Sequence, residues 1–335
     1  MARRRKLPTA AAATILGVLS AAMMSALGAP SADSKYDAGT TMFSPKGRLY
    51  QVEYAAEAVA KSRPAVGICT GEGVVLCALK TIENKRLQLG DQLVKTSRVD
   101  SHVVCASAGL TADAMVLVKD CRTSAQQHSL TFQEPIPVQK LASHVADVKQ
   151  QAYTQHGGLR PWGVSMLLAG WDESRGFQLY KTEPSGNFGA FKAVAVGAGA
   201  SRLSAELASG YEEAAKRAED DGGKSLELGD AVRLAARVLN RERARERKSR
   251  GIRPKPEATP IGKGGDQRGQ EVAGGDRDRE DFGDIGMEIA TIAVEAGSGG
   301  GEGQDGRGLT AAAASSYIYS DAEVEKLLES LGDEE

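Results

Sequence analysis

A tight corner followed by a one-sided helix constrains this chain more than any other stretch. Ser44-Pro45-Lys46-Gly47 suits a type I turn, with Ser at the first position, Pro fixing φ at the second and Gly at the fourth. From Arg48 onward Leu49, Val52, Ala56 and Val59 recur at three- and four-residue steps, which predicts a helix with one narrow apolar stripe. Tyr50, Gln51, Glu53 and Glu57 fall off that stripe. Ahead of the corner, Tyr36-Asp37 heads a short Gly/Thr segment too polar to fold alone. A tail, a stiff corner and a one-faced helix suit the placing of that tail over something, although an ordinary amphipathic N-terminal helix has the same pattern.

Downstream, short apolar runs alternate with turn signals. Val66–Cys69 and Gly73–Leu79 flank Thr70-Gly71-Glu72 as a hairpin, and Val103–Ala108 reads as a third, buried strand. Leu110–His128 is predicted helical, with Thr111 as N-cap, Asp113 in the first turn, and Ala114, Leu117, Val118 and Cys121 on one face. Val138–His156 is the cleanest helical pattern, ended by Gly157-Gly158. Gly163–Trp171 is apolar almost throughout, as expected of a strand buried on both faces. Phe177–Thr182 and Phe191–Val196 read as further strands around the turn Pro184-Ser185-Gly186-Asn187. Helices are expected over Ser201–Arg217 and Leu228–Asn240, a strand over Met287–Glu295, and its hairpin partner over Ser316–Tyr319. Ser320 then caps a short acidic helix with Asp321 and Glu323 in its first turn. This order suits two stacked sheets with helices covering both outer faces.

Two regions depart from that plan. Arg3-Arg4-Arg5-Lys6 precedes an apolar run from Ala10 to Ala29, which resembles a signal peptide. Residues 1–35 are therefore set apart as an N-terminal extension, and residues 1–22 are expected to be an over-extended gene start or a dispensable addition. Arg241–Gly286 is basic, then Pro-rich, then Gly-rich with mixed charge. So few apolar residues cannot offset the entropy of ordering it, so a disordered charged insertion is expected. The folded unit would comprise 36–240 and 287–335, with a second flexible insertion at Gly297–Gly308. The 335 residues carry a net charge of only −2, which supports neither a nucleic-acid nor a membrane role. Cys69, Cys77, Cys105 and Cys121 show no CxxC spacing and the four histidines no HExxH pair, so neither metal nor cofactor is expected.

The wording FSPKGRLYQVEYAAEAV resembles the N-terminal signature of proteasome alpha subunits. The resemblance runs through Asn240 and resumes at Met287. Within the family QEPIP, YTQHGGLRPWGVSMLLAGWD and GFQLYKTEPSGNFGAFKA are most similar to type-4 alpha subunits. It implies the α+β, four-layer αββα sandwich of N-terminal-nucleophile hydrolases, in the alpha-subunit variant with an extra N-terminal helix. It implies a non-catalytic subunit of a threonine-type endopeptidase complex, with a role in ubiquitin-dependent degradation. The implied partners are other alpha subunits in a seven-membered ring, the beta subunits of the adjacent ring, and regulatory ATPase caps or other activators. The implied location is cytoplasm and nucleus.

The resemblance also assigns residues. Tyr36, Asp37, Pro45 and Tyr54 match the cluster that fixes the tail of the gate in its open arrangement, with Ala38 where an arginine is common. Lys95 matches the rim lysine that receives the C-terminal carboxylate of an activator, a role for which an ammonium is suited. It is also readable as an ordinary surface lysine. An enzymatic alternative is self-processing between Gly39 and Thr40 to expose Thr40 as an N-terminal nucleophile. Against it, Met42–Gly47 and a helix follow Thr40, the nucleophile's strand position falls at Arg63-Pro64, and Leu79 stands where the acid partnering a catalytic lysine belongs.

Overall fold

Side-chain alternation along the strands decides how this chain stacks into layers. The computed structural model describes residues 34–37, 39–84, 94–155, 159–220, 226–249, 282–294 and 314–332. In chain order the elements are α1 (Ser34–Asp37), α2 (Tyr50–Ala60), β1 (Ala65–Cys69), β2 (Gly73–Asn84), β3 (Thr96–Asp100) and β4 (Val103–Gly109). There follow α3 (Thr111–Phe132), α4 (Val138–Thr154), β5 (Val164–Asp172), β6 (Gly176–Thr182), β7 (Phe188–Ala190) and β8 (Ala193–Val196). The last are α5 (Ala200–Asp220), α6 (Leu228–Ser249), β9 (Phe282–Val294), β10 (Ala314–Ile318) and α7 (Asp321–Gly332). They form two five-stranded sheets, β10-β9-β2-β1-β8 and β3-β4-β5-β6-β7, antiparallel at every described pairing.

Along β2, Val74, Leu76 and Ala78 face the second sheet, whereas Val75, Cys77 and Leu79 face α5, α6 and α7. On β5, Leu167, Ala169 and Trp171 meet the first sheet, whereas Val164, Met166 and Leu168 lie under α3 and α4. Both strands are covered on two sides, which is why they read as unbroken apolar runs instead of alternating ones. Helix, sheet, sheet, helix is thus the four-layer αββα arrangement, with three apolar interfaces. Each fully buried Leu or Ile in them contributes roughly 1.5–3 kcal/mol of transfer free energy. The sheets close tightly at Gly67, where a Cβ would lie 2.9 Å from Leu179 Cδ1.

Several elements differ from expectation. The strand expected over Phe191–Val196 starts only at Ala193: β8 pairs with β1, while a short strand not expected, β7, precedes it and pairs with β6 of the other sheet. Between them the Phe191 N–H bonds the Leu179 carbonyl in one sheet, and the Lys192 carbonyl accepts the Cys69 N–H of the other. Helix α6 does not stop at Asn240 but continues to Ser249, so the charged run RERARERKS is helical. Its Glu242 is buried against Arg202 of α5, a contact that periodicity of apolar residues cannot reveal. Strand β9 begins at Phe282 instead of Met287, because Phe282–Gly286 pair with Lys80–Asn84 on an elongated β2. Thr111 is the first helical residue of α3 and not its cap. Leu110 holds that place without a side-chain bond, and Asp113 secures the turn by accepting the Gly163 N–H at 2.9 Å. Ser320 does cap α7: its N–H and hydroxyl both donate to the Glu323 carboxylate at 2.7 Å. Expectations for residues 1–33, Gly157-Gly158, 250–281 and Gly297–Gly308 lie outside the described residues.

Candidate functional site

The corner before α2 closes on Ser44. Its carbonyl accepts the Gly47 N–H at 2.8 Å, its hydroxyl accepts the Arg48 N–H at 3.1 Å, and Gly47 takes a φ of +74° that glycine tolerates without strain. Ser44 is buried while Pro45 stands exposed at the tip. Helix α2 then starts at Tyr50, with the Arg48 guanidinium ion-paired to Glu53 and lying 5.2 Å from the centre of the Tyr50 ring. That pairing holds Arg48 above its ordinary pKa and Glu53 below its own.

Helix α2 packs on β4 and β5 at the end of the sandwich, and Val59 enters the apolar layer between the sheets. The buried residues are Tyr50, Ala55 and Val59, not the whole stripe expected from spacing. Tyr50 tucks inward beneath Arg48, and Ala56 is left exposed. Val52 and Ala56 instead line an open groove of about 330 Å³ with Pro184, Gly197 and Ala200.

The tail meets the outer side of α2. Gln51 Nε2 donates to the Asp37 carbonyl at 2.6 Å, and the Asp37 carboxylate beside the Tyr54 hydroxyl holds that phenol above its usual range. The Tyr50 and Tyr54 rings stack at 6.4 Å. Of the four residues assigned to a gate, the structure therefore joins Asp37 and Tyr54. Tyr36 is half-buried on the same turn and Pro45 is at the corner, and neither enters that pair.

The other end of α2 is a charged seam. Arg63 precedes β1; its Nε donates to Thr81 Oγ1 at 2.9 Å and its guanidinium pairs with Glu246 of α6. Lys95 Nζ donates to the Arg63 carbonyl at 2.7 Å. Glu288 Oε2 accepts the Lys95 N–H, the Thr96 N–H and the Thr96 hydroxyl, each at 2.9 Å. Lys80 Nζ lies 3.7 Å from Glu288 and 3.1 Å from Asp321 of α7. Burial pushes the Lys95 amine down to about 7, against the pull of Glu288. Lys95 is thus half-buried and turned to main chain.

Arg63-Pro64 supplies neither hydroxyl nor free amine, and Leu79 is a buried apolar neighbour. Thr40 lies ahead of the corner and α2, not at the head of a sheet strand. Sequence reading missed Glu288, Thr96, Lys80, Asp321 and Glu246 as partners. A lone acid in MEIATIAV and a lone lysine closing GVVLCALK were the available signals. The four thiols are free, three of them fully buried; burial raises Cys69 to about 11 and Cys105 to about 12, so none is poised as a thiolate.

A family profile for the N-terminal signature of A-type proteasome subunits matches residues 36–58, and one described as proteasome subunit matches residues 59–250. Proteasome subunit alpha type-4-A of Arabidopsis thaliana is 46% identical over 207 residues, covering 62% of this chain and 78% of that protein. The same coverage holds for proteasome subunit alpha type-4-1 of Oryza sativa subsp. indica at 45% identity and for alpha type-4 of Spinacia oleracea at 44%.

Proposed function

The chain belongs to the proteasome alpha-subunit family, as a non-catalytic subunit that assembles with other proteasome subunits, and from that premise we propose that it gates substrate entry. In this reading it stands beside six other alpha subunits in an outer ring, rests on the beta ring that holds the catalytic threonines, and docks ATPase caps or other activators. The work is ubiquitin-dependent protein degradation in cytoplasm and nucleus. The observation that carries the gating role is the Asp37 main chain held by Gln51 of α2, with its carboxylate beside Tyr54, on either side of the corner at Pro45. A tail held by a part-buried hydrogen bond to one helix has two arrangements of similar free energy, and contacts at the rim choose between them. The sites so proposed are Tyr36, Asp37, Pro45 and Tyr54 for the gate and Lys95 for the activator tail. For the latter, the ammonium exchanges the Arg63 carbonyl for a terminal carboxylate.

The test uses assembled particles. Deleting residues 1–35, or Asp37→Ala, raises basal hydrolysis of a short fluorogenic peptide severalfold. Unchanged basal activity in both variants removes the gating role from this subunit. Lys95→Ala leaves basal activity in place and lowers stimulation by a carboxylate-tailed activator.

A further inference from the structure

Helix α6 runs nine residues past Asn240 and uses them to reach across the fold. Glu242, Arg245 and Glu246 stand at i, i+3 and i+4, on one helix face. Glu242 pairs with Arg202 and Arg245 Nη1 lies 2.9 Å from Glu206, so two contacts clamp the extension to α5. Glu246 goes further and pairs with Arg63, whose side chain is 10% exposed. Arg63 is also the residue whose carbonyl holds the Lys95 ammonium, with its Nε fixed on Thr81. The chain therefore connects the last turn of α6, through one buried guanidinium, to the acceptor that keeps Lys95 turned inward.

We propose that the end of α6 is an autoinhibitory latch: the Glu246–Arg63 pair fixes the joint between α2 and β1 so that its carbonyl occupies the Lys95 ammonium, and release of Glu246 frees that ammonium for an anionic carboxylate. The value of a freed Lys95 rests on its reading as an activator-tail receptor; the latch itself does not. The groups facing Lys95 are the Arg63 carbonyl, the Arg63 guanidinium and Glu288, with Lys80 on the far side of Glu288. Removing one partner from a mostly buried pair is costly to the remaining charge, so loss of the Glu246 carboxylate is expected to move Arg63.

Amine labelling of the full chain with an acetylating ester, read by mass spectrometry, tests this. Glu246→Gln is expected to speed acetylation of Lys95 by roughly tenfold or more, the scale set by breaking a buried pair. Lys149, wholly buried on α4, should stay protected. The exchanged pair Arg63→Glu with Glu246→Arg should return Lys95 to slow labelling. An unchanged Lys95 rate in Glu246→Gln overturns the latch. So does a rise of Lys95 and Lys149 together, which means general loosening, and so does a failure of the exchanged pair to restore protection. Neither the ring nor an activator is present in this measurement, so its failure and a failure of the gating reading are separate results.

Discussion

The two ends of α2 are built from opposite materials. At its start, the Asp37 carbonyl is held by a glutamine amide, its carboxylate lies beside the Tyr54 hydroxyl, and Tyr54 is half-exposed. At its finish, Arg63, Lys95, Glu288, Lys80 and Glu246 form a seam in which Lys80 and Glu288 are under 10% exposed. A part-buried hydrogen bond from a neutral amide exchanges with water at small net cost, whereas a buried charge stripped of its partner keeps its desolvation penalty. One short helix therefore has a releasable end and a fixed end.

The most severe way to break this contrast is Glu288→Ala. It leaves the Lys95 and Thr96 amides without their acceptor and the Lys80 ammonium with Asp321 alone, and the expected loss is roughly 3–5 kcal/mol of unfolding free energy. Denaturant melts of the chain measure it; a loss under about 1 kcal/mol would make the fixed end no firmer than the tail end.

Next comes proton linkage. Lys149 is completely buried with Thr182 as its hydrogen-bond acceptor, and burial lowers its amine from 10.5 to about 7. Between those values the unfolded chain binds more protons than the folded one, so stability rises with pH across that window and is lowest below it. Lys149→Met should flatten a rise on the order of a few kcal/mol, read from melts taken between pH 7 and 10. Lys95→Met flattens it in the same direction by less, because Glu288 offsets the desolvation there.

A smaller effect is expected from Val59→Ala, which withdraws the apolar anchor of α2 from between the sheets at a cost of about 1–2 kcal/mol. The smallest belongs to the tail. Asp37→Asn should leave the unfolding curve in place while the Tyr54 phenol, followed by ultraviolet titration, falls back toward its ordinary range. A shifted melt there would tie the tail into the core and erase the contrast between the two ends.

The layered fold was legible because β2 and β5 are apolar on both faces and because Ser44–Gly47 spells out its own turn chemistry. The last nine residues of α6 were not. They contain one alanine and otherwise only charged residues and a serine, so their helicity depends on Arg202, Glu206 and Arg63, which are distant in sequence. The seam was hidden for the same reason, since Lys80 and Glu288 meet only after β2 pairs with β9. For the candidate gate, family wording named Asp37 and Tyr54, but no periodicity could show that Gln51 holds the Asp37 main chain. The strand change at Phe191-Lys192 was unreadable because both halves are short and no turn residue separates them at Phe191-Lys192.

That strand change has a mechanical outcome. Adjacent residues, Phe191 and Lys192, are hydrogen-bonded into different sheets, and Gly67 lets the two sheets meet with no slack against Leu179. Neither sheet can slide past its mate without tearing this stitch. Shear between the two layers is therefore resisted by covalent backbone as well as by packing.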